Sequence, residues 1–157
     1  MLVLIYLETS IISYLAARPS RDMVVAAHQQ ITSEWWYEQR HNFELYVSEP
    51  VRYEVGVGDP DVAARRLELI AGLPSLTMNE EALTLARQLV LSGAVPQKAQ
   101  EDAIHIAIAT VHGMDILLTW NCRHIANAIM RSRIERACRL QGFDPPVIAT
   151  PEQLLEE

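Results

Sequence analysis

The stretch IYLETSIISYL, from Ile5 to Leu15, decides how the rest of the chain is read. An apolar run that begins at Leu2 stops at Glu8, two hydroxyl residues follow, and apolar residues then return at helical spacing. The pattern predicts a buried strand over 2–7 running directly into a short helix over 9–17. Glu8 then sits at the junction. It is either an acid favoured by the positive end of the helix, with Thr9 or Ser10 as cap, or the edge of a site.

The same alternation continues along the chain. A helix is expected over about 21–41, containing Trp35 and Trp36, then a strand over 44–48 and a turn of helix opening with Pro50. Asp59-Pro60 predicts a capped helix over 60–71, SLTM (75–78) a third strand, and Asn79 the cap of a helix over 80–92. After the break at SGAVP comes a strongly apolar helix over about 98–112, a fourth strand over 115–120, and basic helical sequence to 141. PPVIAT supplies a fifth strand, and Thr150-Pro151-Glu152-Gln153 reads as a capping box opening a terminal helix. Strands alternating with helices imply an α/β sandwich, a mostly parallel sheet covered on both faces. With 157 residues, no repeat and no linker-like tract, the whole chain 1–157 is expected to form one domain.

Apolar residues are 50% of the composition and charged residues 21%, as in a soluble globular protein. The apolar runs are too short to span a bilayer, and the first ten residues lack the basic start of a signal peptide, so the cytoplasm is the expected compartment. Two cysteines, Cys122 and Cys138, make no disulfide framework and suit a reducing environment. A net charge of −7 argues against a broad, non-specific nucleic-acid binder. It leaves room for a nuclease, whose carboxylates make a chain acidic while a bound metal reverses the local sign. Arg123, Arg131, Arg133, Arg136 and Arg139 crowd one late segment beside His124, as a solvated helix face or as a phosphate-binding patch.

Ligands of an open α/β sheet bind beyond the carboxyl ends of its strands, near the point where strand order reverses. Glu8 follows the first strand and Asn121 the fourth, so the two meet if those strands are neighbours. Glu54 is a second candidate acid, although Glu49 is equally placed by composition and a solvated face explains either. Asp102 opens DAIHIAIATV, a segment apolar nearly all round, where a carboxylate needs a partner or a metal. A first-turn acid or a pair with Lys98 also explains it. His105, one turn on, reads first as a hydrogen-bonded core residue. His28, His41 and His112 carry no spacing signal. No glycine-rich phosphate loop, nucleophile elbow or zinc spacing occurs. The remaining set, Glu8, Glu54, Asp102 and the Asn121 amide oxygen, is rich in hard oxygen and suits Mg²⁺ or Mn²⁺ better than zinc.

The order YLETS, Ser48-x5-Glu54, EDAIHIAIA and LLTWN resembles the PIN-domain family, and within it the VapC-type toxins of bacterial toxin–antitoxin pairs. The resemblance covers essentially the whole chain, including its last strand and TPEQLLEE. It implies a parallel sheet of order 3-2-1-4-5, Mg²⁺- or Mn²⁺-dependent endoribonuclease activity leaving 5′-phosphate and 3′-hydroxyl ends, frequent homodimers, and neutralisation by a small antitoxin. Carried over residue by residue, it makes Glu8, Glu54 and Asp102 the metal-holding acids and Asn121 the fourth catalytic position. Thr9, Ser10 and Thr119 become positioning hydroxyls, with Arg123 and His124 as substrate contacts. Two departures stand out: Glu8 occupies a place where the family usually has Asp, and Asn121 one where an acid is usual. A Glu in place of Asp moves the carboxylate by roughly 1.5 Å, a scale of misplacement that costs about a hundredfold in rate. These departures support an alternative, a catalytically impaired PIN-like module that binds RNA or protein. A third possibility is a plain structural α/β domain whose acids are caps and ion pairs. Trp35, Trp36 and Tyr37, beside the first two helices, form an expected antitoxin-docking face, or else core or dimer contacts.

Overall fold

The computed structural model describes residues 1–155. Five strands, β1 (Val3–Leu7), β2 (Phe43–Ser48), β3 (Ser75–Leu76), β4 (Ile116–Leu118) and β5 (Val147–Ala149), form one sheet in the order β3-β2-β1-β4-β5. Every pairing is parallel, as expected. The strands are shorter than their apolar runs: β3 keeps two residues of the predicted 75–78, and β4 ends at Leu118. Parallel strands need helical crossovers, and α1 (Thr9–Ala16), α2 (Met23–Glu34), α3 (Glu49–Val55), α4 (Pro60–Ile70), α5 (Glu80–Leu91), α6 (Gln100–Val111) and α7 (Ala128–Leu140) supply them.

Local chemistry sets the helix starts. Asp59 accepts from the N–H groups of Asp61 and Val62, and Asn79 from that of Ala82, as expected of these caps. Asp22 and Asn127 do the same for α2 and α7. At the chain's end the capping box between Thr150 and Gln153 is present, but it opens a 3₁₀ turn over Pro151–Leu154. Glu156 and Glu157, the end of the predicted terminal helix, lie outside the described residues. The helix expected over 98–112 begins as a 3₁₀ turn, Gln97–Ala99, and becomes α-helical at Gln100. Its Ala103, His105, Ile106, Ala107, Ile108 and Ala109 are all buried, which explains an apolar pattern with almost no polar face.

The long helix expected over 21–41 ends earlier. After Glu34 the backbone widens into a π turn over Trp35–Gln39 and then a 3₁₀ turn over Arg40–Asn42. Trp35 and Trp36 are both buried there, Trp35 against Phe43 and Trp36 beneath the Arg40 guanidinium, 3.9 Å from its ring centre. Two rings inside the core cannot form a docking face; of the three aromatics only Tyr37 is exposed. The Trp35 indole N–H has no hydrogen-bond partner among the described residues. Trp35→Ala is therefore expected to cost about 3–5 kcal/mol by urea unfolding. Trp35→Phe costs less, because it keeps one aromatic ring in the core and the lost N–H made no bond.

Candidate active site

Strand pairing brings the first acid and the fourth-strand residues together. Leu7 is in register with Leu118, and the Glu8 N–H donates to the Leu118 carbonyl at 3.0 Å. Glu8, Thr119 and Asn121 thus leave the ends of adjacent central strands side by side. Glu8 is the N-cap residue of α1 but makes no side-chain cap bond. Thr9 and Ser10 are not caps either: they lie inside α1 and turn their hydroxyls to the acids.

Three small groups make up the site. Glu8 Oε1 accepts from Ser10 Oγ at 2.5 Å and from Thr119 Oγ1 at 2.6 Å, and the residue is 6% exposed. Ser10 Oγ also receives the Trp120 N–H at 2.8 Å, pinning the chain after β4. Glu54, on α3, accepts through Oε1 from Thr9 Oγ1 at 2.7 Å and from His105 Nε2 at 2.6 Å. Asp102, in the first turn of α6, accepts from Asn121 Nδ2 at 3.0 Å and from His124 Nδ1 at 3.1 Å, one on each oxygen. Its partners are therefore not Lys98 but residues following β4. The groups are continuous: Thr9 and Ser10 are neighbours, and the Asn121 N–H donates to Thr119 Oγ1 at 2.9 Å. His124 is held by its backbone N–H on Asn121 Oδ1. Arg123 is exposed and bonds to none of the three acids among the described residues.

The remaining arginines diverge from the site. Arg131 donates to the Ile148 carbonyl on β5, Arg139 pairs with Glu135 one turn away, and Arg133 and Arg136 line a depression beside Ser92. The segment 121–127 is a turn, so the late helix starts at Ala128 and carries these side chains elsewhere.

Sequence reasoning missed Tyr6 as part of this network and could not foresee what His105 would hold. Tyr6 lies wholly buried in β1, with its hydroxyl 2.8 Å from Ser48 Oγ and 2.6 Å from His105 Nδ1. The available signals were a phenol inside an aliphatic strand and a histidine one turn after Asp102. His28, without a spacing signal, stacks on Trp120 with ring centres 4.0 Å apart, while Trp120 Nε1 donates to Thr32 Oγ1. A larger apolar groove between α5 and α6, lined by Leu83, Ala86, Val90 and Ile104, contains none of the acids.

Electrostatics focus on His105. Burial alone pushes its pKa down, but the Glu54 hydrogen bond and the charges of Glu8, Glu54 and Asp102 outweigh that and raise it. Burial likewise pushes Glu54 up, but the His105 bond, its charge and the Thr9 hydroxyl hold the carboxyl below its ordinary value. Burial holds the Tyr6 phenol far above its usual range. In metal-free protein, His105 contributes stability that is complete below pH about 6.5 and fades as pH rises through its raised value. Glu54 contributes above its ordinary value of 4.5 and loses that as pH falls through its lowered one. The stability difference between wild type and Glu54→Gln, measured by urea unfolding in EDTA, is expected to peak between these limits and shrink as pH rises through the raised value of His105.

Glu54 is bonded to His105, and the negative charges of Glu8 and Asp102 also act on that ring. Among the described residues no lysine or arginine pairs with any of the three acids. Both Glu8 and Glu54 concentrate two close donors on Oε1. Glu8 Oε2 receives no hydrogen bond among the described residues, and Glu54 Oε2 only a long contact of 3.4 Å from His105. These leftover oxygens and Asp102 fit a hard divalent ion in chemistry. As posed, no three His, Cys, Asp or Glu side chains among the described residues gather closely enough to cage an ion.

No protein-family model matches this chain, and no curated protein matches it by sequence. A solved structure does resemble it in fold: VapBC2 from Rickettsia felis, bound to a DNA fragment from its promoter. The TM-score is 0.59 at 14% identity, covering 94% of this chain and 98% of the matched one. The chain has a PIN-like fold. At that identity the likeness concerns the path of the backbone, and the PIN-like strand order is what sets Glu8 beside Thr119 and Asn121. No helix among the described residues is long and apolar enough to cross a membrane.

Proposed function

We propose that this chain is a Mg²⁺- or Mn²⁺-dependent endoribonuclease, the VapC-like toxin of a toxin–antitoxin pair. It would act in the cytoplasm as a homodimer and be neutralised by a small antitoxin protein. The observation that carries the proposal is the continuous hydrogen-bond network that links Glu8, Glu54 and Asp102, with no lysine or arginine paired with any of them among the described residues. Neighbouring carboxylates, one buried and two partly buried, are tolerated when a divalent cation neutralises them. The toxin–antitoxin part of the reading is supported by the fold shared with a chain of the VapBC2 complex.

In this reading Glu8, Glu54 and Asp102 hold the ion. When bound, it supplies Lewis acidity toward the scissile phosphate and lowers the pKa of water in the site. The chain's own residues prepare the place. Ser10 and Thr119 fix Glu8 from one side, Thr9 and His105 fix Glu54, and Asn121 with His124 fixes Asp102. Asn121 orients its neighbouring acid through its amide and adds no charge. An open depression lined by Gln97, Lys98, Gln100, Glu101 and Asp102 adjoins the third acid and would give the RNA backbone a path, with Lys98 as a phosphate contact. Arg123 and His124 would meet the substrate from the turn that follows β4.

A second reading, the catalytically impaired PIN-like binding module, is favoured by one observation: both oxygens of Asp102 are already engaged, one by the neutral amide of Asn121. Incubating the purified chain with total RNA, in EDTA or in Mn²⁺, separates the two. The nuclease cuts RNA in Mn²⁺ and is silent in EDTA. RNA binding without cleavage in Mn²⁺ establishes the module instead.

A further inference from the structure

Tyr6 is the one polar side chain of β1. Its hydroxyl joins Ser48 Oγ to His105 Nδ1, while Ser48 Oγ accepts the Val51 N–H at 3.3 Å at the start of α3. Glu54 lies on that same helix, and His105 Nε2 reaches it from α6. The line therefore leaves α3 at its first turn, passes through β1 and α6, and returns to α3 at its carboxylate. Every member but Glu54 is buried: Ser48 and Tyr6 are 0% exposed and His105 2%.

The hydrogen positions are tightly restricted. An ionised carboxylate only accepts, so Nε2 must carry the hydrogen shared with Glu54 Oε1. A hydroxyl both donates and accepts, so Tyr6 serves Nδ1 whether or not that nitrogen holds a proton, and the ring keeps one pose in either case. The arrangement rejects the tautomer whose bare Nε2 would face Glu54. With Thr9 Oγ1 also donating to Oε1, that oxygen has two close donors, while Oε2 lies 3.4 Å from Nε2.

We infer that Tyr6 and His105 are positioning residues: anchored on Ser48, they clamp Glu54 by Oε1 and so keep Oε2 for the divalent cation. The inference rests on the cation-binding reading above. It assigns the histidine no proton-transfer role, only the orientation of a carboxylate, as partners behind metal ligands commonly provide.

The test is binding of Mn²⁺ alone to the metal-stripped full chain, by calorimetry, without RNA. Tyr6→Phe is expected to weaken binding about tenfold, the lower end for such partners. His105→Ala weakens it at least as much, and His105→Gln, whose amide N–H still reaches toward Glu54, recovers part of the loss. Thr110→Val, a buried change on the same helix α6 facing Cys138, leaves binding unchanged. Cooperative melting in EDTA reports folding; if His105→Ala does not fold, Tyr6→Phe and His105→Gln decide. Wild-type affinity in those two variants, with binding abolished in Asp102→Ala, overturns the positioning role and leaves the cation site standing. Absence of Mn²⁺ binding in wild type overturns both.

Discussion

Asp102→Asn lowers Mn²⁺-dependent RNA cleavage by at least about a hundredfold while the protein still folds. Losing a residue behind a metal ligand typically costs 10–100-fold, so losing a ligand's charge should cost at least the top of that range. The asparagine is the more informative change because it keeps the shape. Its amide oxygen can still accept from Asn121 Nδ2 or His124 Nδ1, which Ala would leave without their acceptor. Initial rates on a short RNA with saturating Mn²⁺, beside thermal melting in EDTA, check it. A variant that cleaves within about threefold of wild type would show that the third carboxylate is not a ligand.

Glu8→Gln is expected to move stability and activity in opposite directions. Glu8 is buried, takes two hydroxyl bonds and has no cationic partner among the described residues, so its charge is poorly compensated when no metal is present. Ser10 and Thr119 can turn their hydroxyls to accept or donate, so a glutamine amide is accommodated. In EDTA the variant should therefore unfold at higher urea, by about 1 kcal/mol. In Mn²⁺ it should gain no stability, where wild type gains according to its affinity, and its cleavage should fall about a hundredfold or more. A variant less stable than wild type in EDTA yet equally active would mean that Glu8 is a structural acid at a helix start. Function held at the expense of stability is a familiar pattern in active sites.

Much of the fold was readable because its signals are local and agree with one another. Asp59, Asn79 and the Thr150–Gln153 box mark element starts through bonds made within a few residues. The alternation of apolar strands with helices gave parallel crossovers no alternative. What could not be read was tertiary in origin. The π turn at Trp35–Gln39 has the same apolar spacing as a longer helix, and only the core around it shows that both tryptophans are inside. The basic run after Asn121 looks like one helix, yet its first six residues, 122–127, form a turn because Asn121 and Asn127 bond backbone groups around them.

The site divides along the same line. Carboxylates at the ends of strands and at the head of an apolar helix stand out in a sequence because burial makes them costly. Glu8 and Asn121 were placeable at strand ends that meet if the strands are neighbours, whereas only the resemblance to the PIN-domain family singled out Glu54 over Glu49. Tyr6 and His105 did not stand out, since a phenol in a strand and a histidine on a buried helix usually end as core residues with a partner. They are core residues with partners; the partner of His105 is the carboxylate of the site. The arginines misled for the opposite reason: one segment in sequence is three directions in space.

The central claim is that Glu8, Glu54 and Asp102 hold one divalent cation between them. Crystals of the protein grown in Mn²⁺ and measured at an anomalous-scattering wavelength test it directly. A manganese peak with oxygens of all three side chains within coordination distance is expected. No peak there at full soaking concentration, or a peak held by other residues alone, would contradict it.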